Sequence, residues 1–415
     1  MTVLAHILIR AQTSAGQYSG GRLHAWILAE GFARLGHAVT FWGDALPVFA
    51  ADFADYPHHD RVRFHGGGQP PAGPFQLVLV VPHTGQPMWF YPQALAVAAR
   101  DSARVVLLNF ESGNWCNALS PEPRDLRLWN GWRQIARSAD VILSSAREST
   151  RYAREFYTDT PLGCEFVEVP PAINSRMADR AVAQPERQVI CINRFTRGSA
   201  HKGGGDLLEI LGPHFAGHTL ALLIGSGGMD AALQARFEVE CQKYGTRLRL
   251  LSRITDLEKF TEIKKSRLLV FLSTFEGFGL PPVEALYCGV PCVAYDLPVL
   301  HEVGGPGIRF VPVGDKAALR SAVAELLTHP LPTGHLRAVV EQTVGFEGFC
   351  NNLNRVFLPV LGRGRRKFSV AQRLCWQIQT IGGKGCEQIQ RVARIWKDKI
   401  RTRLTRLYRS LIAGR

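Results

Sequence analysis

A short segment in the second half of the chain, Ser273–Pro291, combines carboxylates, glycines and prolines at close spacing. It reads STFEGFGLPPVEALYCGVP and follows the apolar run Leu268–Leu272, which predicts a buried strand. Glu276 stands just past that strand. Gly277 and Gly279, which lack a β-carbon, would let the backbone approach a ligand closely. The segment is therefore our first candidate for a binding loop.

The same segment runs on into a predicted helix, which Pro281 and Pro282 would open and which would carry Glu284 in its first turn. Free N–H groups at a helix start bind anions, and carboxylates accept hydrogen bonds from hydroxyls. A sugar nucleotide needs an acid for the ribose, amides for the diphosphate and an acid for the sugar. Taken singly, each glutamate has an alternative interpretation as a helix-dipole partner or a solvated group.

Two basic residues would lie at the same edge of the predicted sheet. Arg194 ends the strand Gln188–Asn193, and Lys202 falls in the loop Thr196–Gly205 before the next helix. Cations placed there can clamp a diphosphate and stabilise it as a leaving group. The alternative is a pair of solvated surface cations, which is the usual state of Lys and Arg.

The elements that must position these residues form two alternating series of apolar strands and helical patterns. We predict two doubly wound parallel-sheet, Rossmann-like domains, over residues 1–182 and 183–337, because continuous apolar strands alternating with helices indicate a sheet covered on both faces. Prolines around 168–187 predict a linker between them. Two such domains would face a central cleft beyond the carboxyl ends of their strands. A helix over 338–361 and a basic tail over 362–415 would follow.

Composition excludes several classes of protein. The chain has 415 residues, 46% of them hydrophobic, which excludes a disordered protein, and no apolar stretch approaches the length of a membrane span. Nine cysteines without a C-x-x-C pair indicate free thiols in a reducing cytosol. The loop Gly225–Gly228 does not complete G-x-G-x-x-G, so a nicotinamide enzyme is poorly supported.

The net charge of +14 is concentrated in the tail, where Arg363–Arg415 holds 15 Lys and Arg against 2 Asp and Glu. Within it, Gln388–Ile412 predicts a basic amphipathic helix. Its apolar stripe consists of Ile389, Ala393, Trp396, Ile400, Leu404, Leu407 and Leu411. The pattern favours an anionic membrane surface. Packing on the protein body or on a partner is the alternative. Nucleic acid is disfavoured, because no module with stacking aromatic residues accompanies the charge.

These features resemble retaining GT-B glycosyltransferases of family 4, the glycosyl transferases group 1. The family's E-x7-E motif would run from Glu276 to Glu284. The resemblance covers about Thr2–Leu361 and leaves the tail outside. Further segments that carry it are Gly20-Gly21, Arg34–Thr40, Ala139–Ile142, Val169–Asn174, Asn193-Arg194 and Lys202-Gly203.

The resemblance implies that the first domain binds an acceptor and the second a nucleotide sugar. Arg194 and Lys202 would hold the diphosphate, Glu276 the transferred sugar and Glu284 the ribose hydroxyls. Glu276, Arg194 and Lys202 would form the catalytic group. The loops that complete the donor site would contribute Gly20, Gly21, Gly277, Phe278, Gly279 and Leu280. No metal and no resident cofactor would be needed, since the nucleotide sugar is a co-substrate.

One departure concerns the sugar-facing side of the first domain. Many members carry a histidine just after the strand that here is Arg104–Leu108, whereas this chain has Asn109-Phe110-Glu111. Glu111 could take that position with His83 nearby, or either could be a helix cap or a surface group.

Taken together, these features predict a cytoplasmic enzyme, peripheral on the inner face of a membrane. The family resemblance further implies that it moves a sugar to a saccharide or lipid-linked acceptor in cell-envelope polysaccharide or glycolipid synthesis. A non-enzymatic sugar-nucleotide scaffold, an epimerase or a phosphorylase of the same fold is the alternative.

Overall fold

The computed structural model describes residues 4–14, 19–84, 89–119, 123–196, 199–329 and 334–380. Within these ranges the chain forms two parallel sheets, one in each half. The first sheet consists of β1 (His6–Arg10), β2 (Ala38–Gly43), β3 (Val62–Gly66), β4 (Leu77–Val80), β5 (Arg104–Asn109), β6 (Val141–Ser144) and β7 (Glu165–Glu168). The second consists of β8 (Gln188–Phe195), β9 (Thr219–Met229), β10 (Arg247–Ser252), β11 (Ser266–Phe271), β12 (Cys292–Tyr295) and β13 (Ile308–Val311).

Both sheets have the doubly wound strand order. The first runs β3-β2-β1-β4-β5-β6-β7 and the second β10-β9-β8-β11-β12-β13. Their central strands are apolar on both faces, and β4 and β12 are buried along their whole length. Three edge strands, β3, β7 and β13, were not expected from the sequence. All three are only partly buried, so their residues lack the continuous apolar run that identifies a central strand.

Helices cover both faces of each sheet. The first half contains α1 (Gly20–Arg34), α2 (Phe90–Asp101), α3 (Gly113–Leu119), α4 (Asn130–Ala136), α5 (Arg147–Phe156) and α6 (Ser175–Arg180). The second contains α7 (Gly204–Ile210), α8 (Ala231–Lys243), α9 (Asp256–Lys265), α10 (Leu280–Tyr287), α11 (Pro298–Val303) and α12 (Lys316–Thr328). Short 3-10 helices lie at Val48–Phe53, His59–Arg61, Leu126–Trp129, Ala200–Lys202, Pro213–Phe215 and Gly305–Gly307.

The residues after α12 form two helices where a single helix over 338–361 was predicted. The first, α13 (Leu336–Val344), packs into the core of the second domain. Gly345 separates it from α14 (Phe346–Gly362), whose apolar side chains join the core of the first domain. Gly31 of α1 is the contact point, because a β-carbon there would come within 2.6 Å of the Phe349 ring. The single predicted helix was wrong because a continuous apolar pattern does not show which core each turn faces.

A further helix, α15 (Val370–Thr380), returns along the first domain and packs on α2. Trp376 and Phe368 are buried there, edge to face at 5.6 Å between ring centroids. Arg366 of the preceding segment donates to Asp140 at 2.7 Å. The predicted amphipathic helix 388–412 lies outside the described residues. None of the described helices is both long enough and apolar enough to span a bilayer.

Candidate active site

The N-termini of α1 and α10 face each other across the cleft between the two domains. A β-carbon on Gly20, the first residue of α1, would lie 3.6 Å from the Leu280 side chain at the start of α10. Nearby, the Ser145 hydroxyl donates to the Gly277 carbonyl oxygen at 2.9 Å, a buried bond between the domains. The Trp115 and Phe275 rings also meet edge to face at 5.3 Å. Groups from both domains therefore surround one site.

The two helix starts differ as anion sites. The first turn of α1 contains no acidic residue, and the Ser19 oxygen caps it by accepting from the Arg22 amide at 3.3 Å. Gly279 caps α10 with φ at 91°, in the left-handed region that favours glycine. Because Pro281 and Pro282 have no N–H, α10 offers fewer amides than the sequence interpretation assumed.

Glu284 also sits differently from the sequence expectation. It is the fifth residue of α10, so it lies in the second turn. Its Oε1 accepts from Lys259 Nζ of α9 at 2.8 Å, and both side chains are buried. Burial raises the pKa of the Glu284 carboxyl, and the adjacent Lys259 charge opposes that rise.

Lys202 and Glu276 form the second ion pair of the site. Lys202 ends the 3-10 helix Ala200–Lys202, and its Nζ lies 2.5 Å from Glu276 Oε1. Gly203 follows with φ at 75°, and a β-carbon there would sit 2.2 Å from the Leu272 carbonyl oxygen. A glycine is therefore needed to bring this loop against the end of β11. The packing places Lys202 beside Glu276, as their predicted positions at one sheet edge require.

Arg194 lies at the same edge, near the end of β8. Its side chain is exposed and forms no ion pair with any described residue. The Asn193 side chain instead accepts from the Arg194 backbone amide at 3.1 Å. Glu111 and His201 lie within range of its charge, so Arg194 is an exposed cation beside this cluster with no direct ion-pair partner among the described residues.

Glu111 reaches this cluster from the first domain. Its Cγ would lie 3.3 Å from a β-carbon on Gly277, so the two loops are in contact. Burial, and then the Glu276 charge, raise the pKa of the Glu111 carboxyl, while Lys202 and Arg194 lower it. His83 is not among these neighbours. Its side chain reaches the surface, and partial burial of the ring together with the Arg22 charge of α1 lowers its pKa.

Sequence analysis missed several residues of the site. His201 packs near Phe275, and burial with the adjacent Lys202 charge lowers its pKa to about 4. Arg124 lies within range of Glu111. Lys259 had a detectable signal, because it shares the spacing of Phe260 and Ile263 on the buried face of α9. A lysine on an apolar stripe indicates a buried partner.

Across the described ranges, no three His, Cys, Asp or Glu side chains come together as for a metal ion. The site instead combines cations, carboxylates and helix N-termini, which suits a phosphorylated ligand carrying hydroxyl groups.

Comparison with protein families locates a match in the second domain. Residues 186–329 match the family described as glycosyl transferases group 1. The O-antigen chain mannosyltransferase RfbU of Salmonella typhimurium is 33% identical over 111 residues, 25% of this chain and 30% of that relative. A putative glycosyltransferase of Acidianus filamentous virus 2, ORF378, is 51% identical over 43 residues, 10% of this chain and 11% of that relative. The chain thus aligns with less than a third of either relative.

Solved structures match over most of the chain. Sucrose-phosphate synthase from Thermosynechococcus elongatus has a TM-score of 0.63 at 17% identity, covering 87% of this chain and 100% of that one. Anabaena Alr3699/HepE, solved in complex with UDP-glucose, has a TM-score of 0.63 at 15% identity and covers 86% and 100%. At such identities the likeness concerns the fold. The predicted GT-B fold of two Rossmann-like domains is confirmed.

Proposed function

We propose that this protein is a retaining glycosyltransferase that moves a hexosyl or related sugar from a nucleotide-sugar donor to a saccharide or lipid-linked acceptor. In this reaction an acceptor hydroxyl oxygen bonds to the anomeric carbon as the bond from that carbon to the diphosphate breaks. The hydroxyl proton leaves with the nucleoside diphosphate. Attack from the face that the diphosphate leaves retains the anomeric configuration and needs no protein nucleophile.

The observation that carries this proposal is the charge arrangement at the domain interface. Two helix N-termini, the exposed Arg194 and the paired Lys202 converge where both sheets end. Such groups stabilise the negative charge that develops on a departing diphosphate. The family match over residues 186–329 covers Arg194, Lys202, Glu276 and Glu284, so it supports donor binding by the second domain.

The carboxylates supply the remaining roles in the proposal. Glu276, anchored by Lys202, would accept hydrogen bonds from hydroxyls of the transferred sugar, and Glu284 from those of the ribose. Glu111, held between the domains, would face the sugar from the acceptor side. Its raised pKa favours the protonated carboxyl, which can donate a hydrogen bond to a hydroxyl of the transferred sugar. His83, beside Arg22, would contact the acceptor farther from the reacting carbon.

A nucleotide-sugar panel tests the donor assignment. A specific donor should raise the melting temperature of the wild-type protein by mass action, and the matching sugar and base identify it. Transfer to an added saccharide or lipid-linked acceptor would then support a transferase. Release of free sugar alone, or isomerised donor, would indicate a hydrolase or an epimerase. A phosphorylase would need inorganic phosphate, and binding without turnover would indicate a scaffold.

The same proposal includes synthesis of cell-envelope polysaccharide or glycolipid at an anionic membrane. The name of the Salmonella relative, an O-antigen chain mannosyltransferase, supports a role in polysaccharide synthesis. Residues 363–380 pack on the first domain, so the last described residue, Thr380, lies on the proposed acceptor side. An acceptor in a lipid leaflet would then lie close to the basic tail.

Vesicle co-sedimentation tests the membrane part. We expect the full chain to bind vesicles of anionic lipid and to dissociate from them at high salt. It should not bind vesicles of neutral lipid. The matched control ends at Thr380, because a chain ending at Leu361 would lose the buried Phe368 and Trp376. Equal binding by the full chain and the control would exclude the tail as the membrane anchor.

A further inference from the structure

A continuous chain of hydrogen bonds connects Glu284 of the second domain to Tyr56 of the first. The Tyr56 hydroxyl donates to Asn174 Oδ1 at 2.8 Å, and Asn174 Nδ2 donates to Asp256 Oδ2 at 3.1 Å. Lys259 Nζ then lies 2.9 Å from Asp256 Oδ1 and 2.8 Å from Glu284 Oε1. Four contacts thus span both domains and the segment that joins them.

Every residue in this series of hydrogen bonds has a fixed role as donor or acceptor. The amide of Asn174 accepts from Tyr56 and donates to Asp256, so its orientation is determined by its two partners. Asp256 uses one oxygen for the amide and the other for Lys259. Lys259 can only donate, and it joins two carboxylates. No member can reverse its role without losing a bond.

Burial makes these bonds costly to lose. Asn174 is fully buried, and Tyr56, Asp256 and Glu284 are each less than 5% exposed. A buried carboxylate that loses its cation carries an uncompensated charge, and it responds by taking up a proton or by moving toward water. A protonated Glu284 would be a weaker hydrogen-bond acceptor than the carboxylate, and a displaced one would leave its present place. Its ability to bind hydroxyls therefore depends on Lys259.

The first domain also contacts α9, the helix that carries Asp256 and Lys259, through a second element. This element is the 3-10 helix Val48–Phe53. Asp52 of that helix lies within range of both charges. The surroundings of the Lys259–Glu284 pair therefore include residues of the first domain, although Glu284 belongs to the second.

We propose that Lys259 is the positioning residue of Glu284 and that the chain through Asp256 and Asn174 to Tyr56 makes ribose recognition depend on the first domain. This inference rests on the proposed function, in which Glu284 receives the ribose hydroxyls. It assigns to the site a preference for ribonucleotides over 2′-deoxyribonucleotides, which is set by a residue outside the E-x7-E segment. The domain arrangement and donor affinity become coupled through these bonds.

Calorimetric binding of nucleoside diphosphates tests the coupling. UDP, GDP, ADP and CDP are titrated into the full wild-type chain, and the tightest is compared with its 2′-deoxy analogue. We expect the wild type to favour the ribonucleotide by about 10-fold, since a hydrogen bond to a charged group is lost with the 2′-hydroxyl. In Lys259→Met the ribonucleotide should bind more weakly and the preference should fall to within about 2-fold.

Three further variants separate positioning from general destabilisation. Lys265→Met on the same helix removes a lysine that pairs with Glu262 at 3.0 Å, and it should keep the wild-type preference. Lys259→Arg, which retains the charge, should recover most of the preference. Tyr56→Phe, which removes one hydroxyl 2.8 Å from Asn174, should reduce it by about 3-fold without unfolding the protein.

The outcomes distinguish this inference from the proposed function. A wild type that binds a ribonucleotide selectively while Lys259→Met and Tyr56→Phe keep the same preference overturns the positioning role alone. A wild type that binds none of the four nucleotides overturns the proposed function, and the inference with it. Loss of preference in Lys259→Met but not in Lys265→Met supports the coupling.

Discussion

The candidate site contains two lysine–glutamate ion pairs with similar N–O distances. They differ in the elements that carry them, which are loops for one pair and packed helices for the other. Lys202 and Glu276 approach to 2.5 Å, and Lys259 and Glu284 to 2.8 Å. The first pair joins two loops at the ends of β8 and β11. The second joins two helices, α9 and α10, and is backed by Asp256. Both pairs are largely buried, with every side chain less than 15% exposed.

The difference in supporting elements implies a difference in role. A pair between loops can exchange partners when a ligand arrives, and the exposed Arg194 lies at the same sheet edge. A pair between packed helices has no such freedom. We therefore expect the Lys202 pair to act where charge changes during the reaction, and the Lys259 pair to act equally on bound donor and transition state.

Removing the loop cation should give the largest effect. Lys202→Ala or Arg194→Ala should lower kcat/KM by at least ~100-fold, about 2.7 kcal/mol, because each variant loses a charge that stabilises the departing diphosphate. Initial rates with limiting donor measure this. Lys243→Ala serves as control, since that lysine lies on the outer end of α8 and pairs with Glu240. Unchanged turnover would identify the replaced residue as a surface cation.

Changing the acid of the same pair should lower turnover with the fold intact. Glu276→Gln keeps the shape of the side chain and removes its charge, so kcat should fall by about 10-fold or more. Because the two residues act as a unit, the double variant with Lys202→Ala should be less impaired than the two single effects would give together. Additive effects in this cycle would show that the pair does not act together.

The helix pair should respond in KM. Glu284→Gln should raise the donor KM by about 10-fold and leave kcat nearly unchanged, since a ribose contact is made equally in ground and transition states. Saturation curves for the donor separate the two constants. If kcat fell as much as KM rose, the distinction between the two pairs would disappear.

The smallest effect concerns pH dependence beside the helix pair. Burial and the Asp256 charge raise the pKa of Asp52 from its ordinary value to about 6. An acid with a raised pKa in the folded state stabilises that state as pH falls through about 6, and the gain is complete below its unfolded pKa of about 3.8. The stability of wild type relative to Asp52→Asn should therefore increase between pH 7 and 5. A constant difference in free energy of unfolding would contradict this.

The sequence predicted the site best where charged residues follow directly after predicted strands. Continuous apolar strands predicted both sheets, and the GT-B resemblance supplied their arrangement, which the structure matches. Lys202 and Glu276 could be placed at one edge because parallel strands end together. Their contact at 2.5 Å needed the glycine-dependent loop at Gly203, which becomes evident only when its distance to Leu272 is known.

Other parts of the site depend on packing between segments distant in sequence. Asn174 and Asp256 are 82 positions apart, and nothing in either local pattern indicates the other. The position of Glu284 in the second turn of α10 depends on Gly279 as the cap. Likewise, the division into α13 and α14 follows from which core each helix meets, a property of the assembled domains.

The crossing of α14 onto the first domain limits how the two halves could be exchanged between related proteins. The donor-side segment is continuous only as far as Gly345, and Phe349 beyond it fills the space above Gly31. A chimera that imported everything after the linker would bring a foreign helix to this surface. Junctions near residue 182 and at Gly345, with 346–380 inherited from the parent of the first domain, would keep both interfaces native. Exchanging the segment between these two junctions would then transfer donor preference from one protein to another.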